Sequence, residues 1–143
     1  MTGFSLRVAL AAVVALGIVP PCGAAGAPVS LREVRQGLFA ACFAGERDAW
    51  MVGELGRIFH TTDAGETWER QDAGTKRPFL AIACLDPRSA WIAGKEGIVY
   101  GTSDGGATWT ADKSLGPYIN RIRFVGPRTG YAIGSTIYKL EIP

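Results

Sequence analysis

An eight-residue phrase occurs twice in this chain. Thr61-Thr62-Asp63-Ala64-Gly65-Glu66-Thr67-Trp68 returns as Thr102-Ser103-Asp104-Gly105-Gly106-Ala107-Thr108-Trp109, and the two aspartates stand 41 residues apart. Reduced to its constant positions the phrase is Thr-x-Asp-x-Gly-x-Thr-Trp. The match extends outward. Trp50 to Gly53 precedes Trp91 to Gly94 by the same 41 residues, and Tyr131 to Gly134 follows 40 residues later. Arg47, Arg88 and Arg128 each stand three residues before that aromatic. A fixed period in the forties is the mark of stacked supersecondary units, so it sets the fold class before any single motif is weighed. Two complete copies and a shortened third are expected.

Within one copy the pattern is that of strands. Phe79 to Leu85, Ala90 to Gly94, Ile98 to Thr102 and Thr108 to Asp112 are short runs separated by turn chemistry at Asp86-Pro87-Arg88, Gly94-Lys95-Glu96-Gly97 and Ser103-Asp104-Gly105-Gly106. After the leader no stretch shows a sustained helical period. Four short antiparallel strands per forty-odd residues make one propeller blade. The expected fold is therefore all-β: a partial propeller with two complete four-stranded blades, at about 37–72 and 78–113, and an incomplete third at 118–143.

Residues 1–27 are expected to be an export signal. Arg7 is followed by the apolar run Val8 to Val19, then Pro20-Pro21, then small residues between which cleavage is expected, from about Ala24 to Ala27. The apolar run falls short of the roughly 20 residues a helix needs to span a bilayer. The mature domain, 28–143, would be periplasmic or secreted. Without Arg7 it carries 14 basic and 13 acidic residues. That balance argues against a nucleic-acid partner, which calls for a basic stripe.

Two cysteines remain in the mature part. Repeat alignment sets Cys42 against Ala83, and Cys84 against Phe43, so the two thiols occupy opposite faces of equivalent strands. Opposite faces of neighbouring blades either confront each other or point apart. An oxidising compartment permits a bridge; two buried, unpaired thiols are the expectation.

The repeated phrase reads as a hairpin clamp. Asp63 and Asp104 accept backbone N–H groups of a tight turn, Gly65 and Gly106 permit positive φ, and Thr61, Thr67, Thr102 and Thr108 satisfy further turn groups. Trp68 and Trp109 turn inward to pack. One acid per blade, repeated with its whole turn, points to scaffolding rather than catalysis.

The phrase resembles the Asp-box (BNR) repeat of sialidases, sortilin-type receptors and related propellers. The wider pattern runs aromatic-x-x-Gly, Gly-x-Ile/Val-Phe/Tyr, then the Asp-box, carried by Trp50 to Gly53, Gly56 to Phe59, Trp91 to Gly94 and Gly97 to Tyr100. In this it resembles the photosystem II assembly and stability factor family, over about residues 36–140. The resemblance implies a non-catalytic module that assists assembly or stability of a protein partner, one associated with a membrane. It also implies a ring of about seven blades, whereas 116 mature residues at this period give about three. Three completions are open: two chains joining into a six-blade ring as a homodimer, packing on another protein, or a truncated remnant without independent function. Ser30 to Gln36 could supply an outer strand that the third unit lacks. Arg121 and Arg123, standing where the second unit has Ala81 and Ala83, suit a solvent-facing end instead.

The sialidase relatives make glycoside hydrolysis the rival reading. It requires an arginine cluster, a tyrosine nucleophile with a glutamate partner, and an acid/base aspartate. The face opposite the Asp-boxes offers Glu54, Arg57, Lys76, Arg77, Lys95, Glu96, Lys113 and Tyr118, which read as turn and linker residues. His60 is the only histidine, so histidine metal clusters and Ser/His/Asp machinery are excluded; a partly exposed strand position is expected for it. No catalytic residue, metal or cofactor is expected. Arg47, Arg88 and Arg128 should align on the Asp-box face. Pairing with their own turns is the simpler reading, and a row for an acidic segment the functional one. Arg121 and Arg123 complete the candidate partner-binding set.

Overall fold

The computed structural model describes residues 37–142. The expected export signal and the Ser30 to Gln36 strand lie outside them. Eleven strands in three antiparallel sheets follow one another along the described chain. The first sheet holds β1 (Leu38–Phe43), β2 (Ala49–Gly53), β3 (Ile58–Thr61) and β4 (Glu69–Gln71), in that order. The second holds β5 (Phe79–Asp86), β6 (Ser89–Gly94), β7 (Ile98–Thr102) and β8 (Thr110–Ser114). The third holds β9 (Ile119–Phe124), β10 (Thr129–Gly134) and β11 (Ile137–Glu141). The sheets stand as propeller blades. Their first strands, β1, β5 and β9, pack side by side, and each successive strand lies further out.

Each blade has two faces because side chains alternate along a strand. In the first blade Cys42, Trp50 and His60 are paired across three strands, as are Ala40, Val52 and Ile58. This face meets Phe79, Ile82, Ala90 and Ile92 of the second blade in one core cluster, flanked by Tyr100 and Trp109. The second blade's other face carries Ala81, Ala93 and Val99, which pack with Ile119, Ile122, Ala132 and Leu140 of the third. Alanine on the innermost strands lets the blades approach where they crowd. Burial between blades, rather than within one, is what orders each sheet.

The aromatic-x-x-Gly signature has a steric cause. At Gly53, Gly94 and Gly134 an added Cβ would run into the backbone carbonyl of Gly37, Pro78 and Tyr118 respectively. These carbonyls belong to the segments entering the innermost strands. The glycine that closes each second strand lets the entering chain cross directly over it.

Three expectations are corrected here. Cys42 and Cys84 form a disulfide, with Cα atoms 5.9 Å apart. The faces that could have confronted each other or pointed apart do confront each other, since β1 and β5 are packed neighbours. His60 is buried, not partly exposed: it is 7% accessible and stacks on Trp50 with ring centroids 4.0 Å apart and planes 6° from parallel. In the second blade Gly101 takes this position, and a Cβ there would press on the Trp91 indole at 3.0 Å. The fourth strand of the second blade also starts at Thr110, two residues later than the run Thr108 to Asp112 suggested, because Thr108 is held in the preceding turn by Asp104.

Candidate functional site

The two repeated turns have the same internal wiring. The Thr61 hydroxyl donates to Asp63 Oδ1 at 2.7 Å and accepts the Gly65 N–H at 2.9 Å. Asp63 in turn accepts the Thr67 N–H at 2.9 Å and the Thr67 hydroxyl at 2.5 Å. In the second blade Thr102 donates to Asp104 at 2.7 Å and accepts the Gly106 N–H at 2.9 Å. Asp104 accepts the Thr108 N–H at 3.0 Å and its hydroxyl at 2.6 Å. Gly65 and Gly106 stand at φ +88° and +85°, in the left-handed region where a side chain is strained.

These bonds define the chemistry of the carboxylates. Donation by the Thr67 side chain and backbone, and by Thr61, holds the Asp63 carboxyl at about 2. At Asp104 desolvation works to raise the pKa, but the donors Thr108 and Thr102 prevail and leave it at about 2. Both groups are ionised at neutral pH and spend their lone pairs on their own hairpins. Such a carboxylate is a poor general acid and an occupied base.

A pH dependence follows. The folded pKa lies below the unfolded value of 3.8, so this stabilisation is complete above about pH 4 and is lost as pH falls toward 2. The thermal midpoint should drop over that interval. In an Asp63→Asn, Asp104→Asn double variant it should start lower and fall less. Parallel acid profiles for the two proteins would show that the boxes carry none of the acid sensitivity.

The tryptophans that end the phrase separate the two boxes. Trp68 donates its indole N–H to the Gly65 carbonyl of its own turn at 3.2 Å and lies with Ala49 and Phe59 on the first blade. Trp109 instead donates to Gln71 Oε1 at 3.3 Å, and Gln71 Nε2 donates to the Gly105 carbonyl at 2.7 Å. Gln71, from the last strand of the first blade, therefore locks onto the Asp-box of the second. An added Cβ at Gly106 would collide with it. Nothing in the phrase marks Gln71, since its partner turn lies 34 residues further along. Gln71 Nε2 also lies 3.4 Å from His60 Nδ1. Burial pushes the His60 imidazole below its ordinary value, opposed by Asp48, whose Oδ1 is 3.7 Å from Nε2.

The recurrent arginines stand at matching places. The carbonyl of Arg47 accepts the Ala64 N–H at 2.9 Å, and that of Arg88 accepts the Gly105 N–H at 2.9 Å. In the third blade the Arg128 carbonyl takes the Ile142 N–H at 3.0 Å. The backbone of each arginine turn is thus pinned to the outer hairpin or strand of its own blade, which puts the first two beside the Asp-boxes. All three side chains are exposed. Among the described residues none of these guanidiniums is in an ion pair with an acid, in contrast to His60 with Asp48, Arg77 with Glu96 and Lys139 with Glu141. Arg121 and Arg123 lie on the innermost strand of the third blade, on the face away from the second, and are exposed. They are not part of the same row. At the opposite end of the blades Arg77 reaches Glu96 at 2.9 Å and Lys95 bridges to Tyr118 through the backbone, so these residues tie hairpins to linkers.

Comparison with known proteins agrees with this architecture. Residues 29–123 match the model of the family described as photosynthesis system II assembly factor YCF48. Among curated proteins, none matches the chain. A solved structure described as YCF48 bound to D1 peptide superimposes with a TM-score of 0.62 at 24% identity, covering 73% of this chain and 36% of that one. YCF48 from Cyanidioschyzon merolae gives a TM-score of 0.62 at 22% identity, covering 73% and 37%. At that identity the two structures establish the fold, and the chain spans little more than a third of their length. A family match over most of the chain, on a fold of Asp-boxed four-stranded blades, makes this protein a member of the photosynthesis system II assembly factor YCF48 family.

Proposed function

We propose that the protein is an exported, non-catalytic binding module that helps assemble or stabilise a partner protein by holding an acidic segment of it. Under this reading the Asp-boxes are braces. Arg47, Arg88 and Arg128 are the binding row, and Arg121 and Arg123 are a second basic patch outside it. The carrying observation is the row itself: exposed guanidiniums at one repeated place in three blades, with no acid paired to them among the described residues. One structure of similar fold is a complex with a peptide of another protein, which supports a peptide-sized ligand here. The family suggests a membrane-associated partner. Export is supported by the Cys42–Cys84 bridge, because disulfides persist in oxidising compartments.

The test is fluorescence anisotropy with a labelled acidic peptide ending in a free carboxylate. Arg47→Ala, Arg88→Ala, Arg128→Ala together should weaken binding by about tenfold, the sum of three exposed charge contacts. Added salt should narrow that difference. Replacing Arg121 and Arg123 should cost less. Binding indifferent to the triple change, or no binding at low salt, would sink the proposal.

A further inference from the structure

One buried ionisable ring lies on the seam between the first two blades, away from the arginine row. His60, on β3, is stacked on Trp50 and is the only histidine of the chain. Its Nδ1 lies 3.4 Å from Gln71 Nε2, a long hydrogen bond, and its Nε2 lies 3.7 Å from Asp48 Oδ1. The second distance is too great for a hydrogen bond and short enough for the carboxylate charge to be felt.

Donor and acceptor chemistry fixes where this ring carries its proton. Gln71 Nε2 donates to the Gly105 carbonyl at 2.7 Å, and Gln71 Oε1 accepts the Trp109 indole N–H at 3.3 Å. A carbonyl only accepts and an indole N–H only donates, so the Gln71 amide has one permitted orientation. That orientation turns its NH2 toward His60 Nδ1, which must then be the bare acceptor. The proton of the neutral ring therefore sits on Nε2. Asp48 favours the same arrangement, because a lone pair at Nε2 would face its carboxylate.

A second proton sets these neighbours against each other. At Nδ1 it would meet the Gln71 NH2, donor against donor. Relief requires the amide to turn, which aims Oε1 at the Gly105 carbonyl and NH2 at the Trp109 N–H, and both cross-blade bonds are lost. At Nε2 the imidazolium gains the attraction of Asp48. The other titratable groups around the ring are Glu69, its exposed cross-strand partner on β4, and Tyr100 of the second blade, in the core cluster of Trp50. Asp104 of the second blade is engaged by its own hairpin, and Cys42 and Cys84 are bonded to each other. Release of Gly105 reaches further, since its N–H is held by the Arg88 carbonyl at 2.9 Å.

We propose that His60 and Gln71 form a proton-sensed latch: with the ring neutral the first blade holds the second blade's Asp-box, and protonation opens the latch and frees the Arg88 turn. Burial disfavours the imidazolium, so the latch is closed at neutral pH. Its contribution begins to be lost as pH falls below the unfolded value of 6.5 and is gone below the ring's own lower value. The second interface has no counterpart, because Gly101 stands in the place of His60. That an open latch loosens the hold on an acidic segment rests on the arginine-row reading above; the latch itself does not.

Long-range proton–nitrogen correlation spectra of the ring test this, and a single histidine leaves its signals unambiguous. At pH 7.5 the proton should be found on Nε2. Between pH 7.5 and 5 the Trp109 indole N–H and the Gly105 amide should shift with the ring's own midpoint, and in His60→Leu they should stay fixed. Affinity for the labelled acidic peptide should fall about twofold over that interval, one contact of the three in the row, and should hold steady in His60→Leu. The peptide's own carboxylates stay largely ionised there. A proton on Nδ1 at pH 7.5 overturns the proposal. So do Trp109 and Gly105 signals indifferent to protonation of the ring, both read in the wild type without any variant having to fold. A peptide that binds at no pH would instead sink the arginine-row reading, and the spectra would still decide the latch.

Discussion

Replacing Cys42 and Cys84 by serine should lower the free energy of unfolding by about 3–4 kcal/mol, the loop-closure value for so long a separation. The two cysteines are 42 positions apart in sequence, and the bridge joins the innermost strands of two successive blades. In a stack whose units touch only their neighbours, stability is a sum of blade terms and interface terms. The bridge acts on the first interface alone. Equilibrium denaturation of the oxidised protein and the double serine variant measures the difference. Hydrogen exchange locates it, and protection should fall first in β1 to β4. A change below about 1 kcal/mol would mean that Trp50, Val52 and Ile58 hold the first blade to the second without help.

The aromatic of the repeat signature should cost different amounts in each blade. Trp50 is fully buried, stacked on His60 and set among Val52, Ile58, Phe79 and Ile82. Trp50→Ala should cost about 3–5 kcal/mol, the usual range for emptying a large aromatic site. Trp91 is half-buried, packed against the second core and edge-on to Phe124 with centroids 4.8 Å apart; its removal should cost roughly half as much. Tyr131 lies on the outward face of the third blade and should cost under about 1 kcal/mol. Equilibrium denaturation gives all three values. Equal losses would mean that the aromatic serves its own sheet, whereas a graded series means that it serves the next blade.

Much of the fold was legible because its determinants are local. The Thr61-to-Thr67 bonds span four residues or fewer, so the phrase carries its own turn wherever it occurs. The spacing of Gly53 and Gly94 from Trp50 and Trp91 marked the repeat, while the crossing of the entering chain over them is seen in the structure alone. The place of the three arginines was likewise readable from the period, though not the exposure of their side chains without an acid partner.

Cross-blade contacts were not legible. The alignment put Cys42 and Cys84 on opposite faces of equivalent strands and stopped there, because whether such faces meet depends on how one blade is set against the next. Gln71 bears no motif, and its role comes from reaching a turn in another sheet. His60 was misjudged for the same reason: strand position alone does not reveal that the adjoining blade closes over it.

The amino-acid order by itself determined the repeat, the strand-and-turn plan of each blade and the clamp inside each hairpin, since those hydrogen bonds and close approaches link residues near one another along the chain. Only the tertiary structure decided which faces meet, that two thiols bond across them, and which charges are left facing solvent. Those outcomes depend on the packing between sheets, and no period in the sequence encodes that geometry.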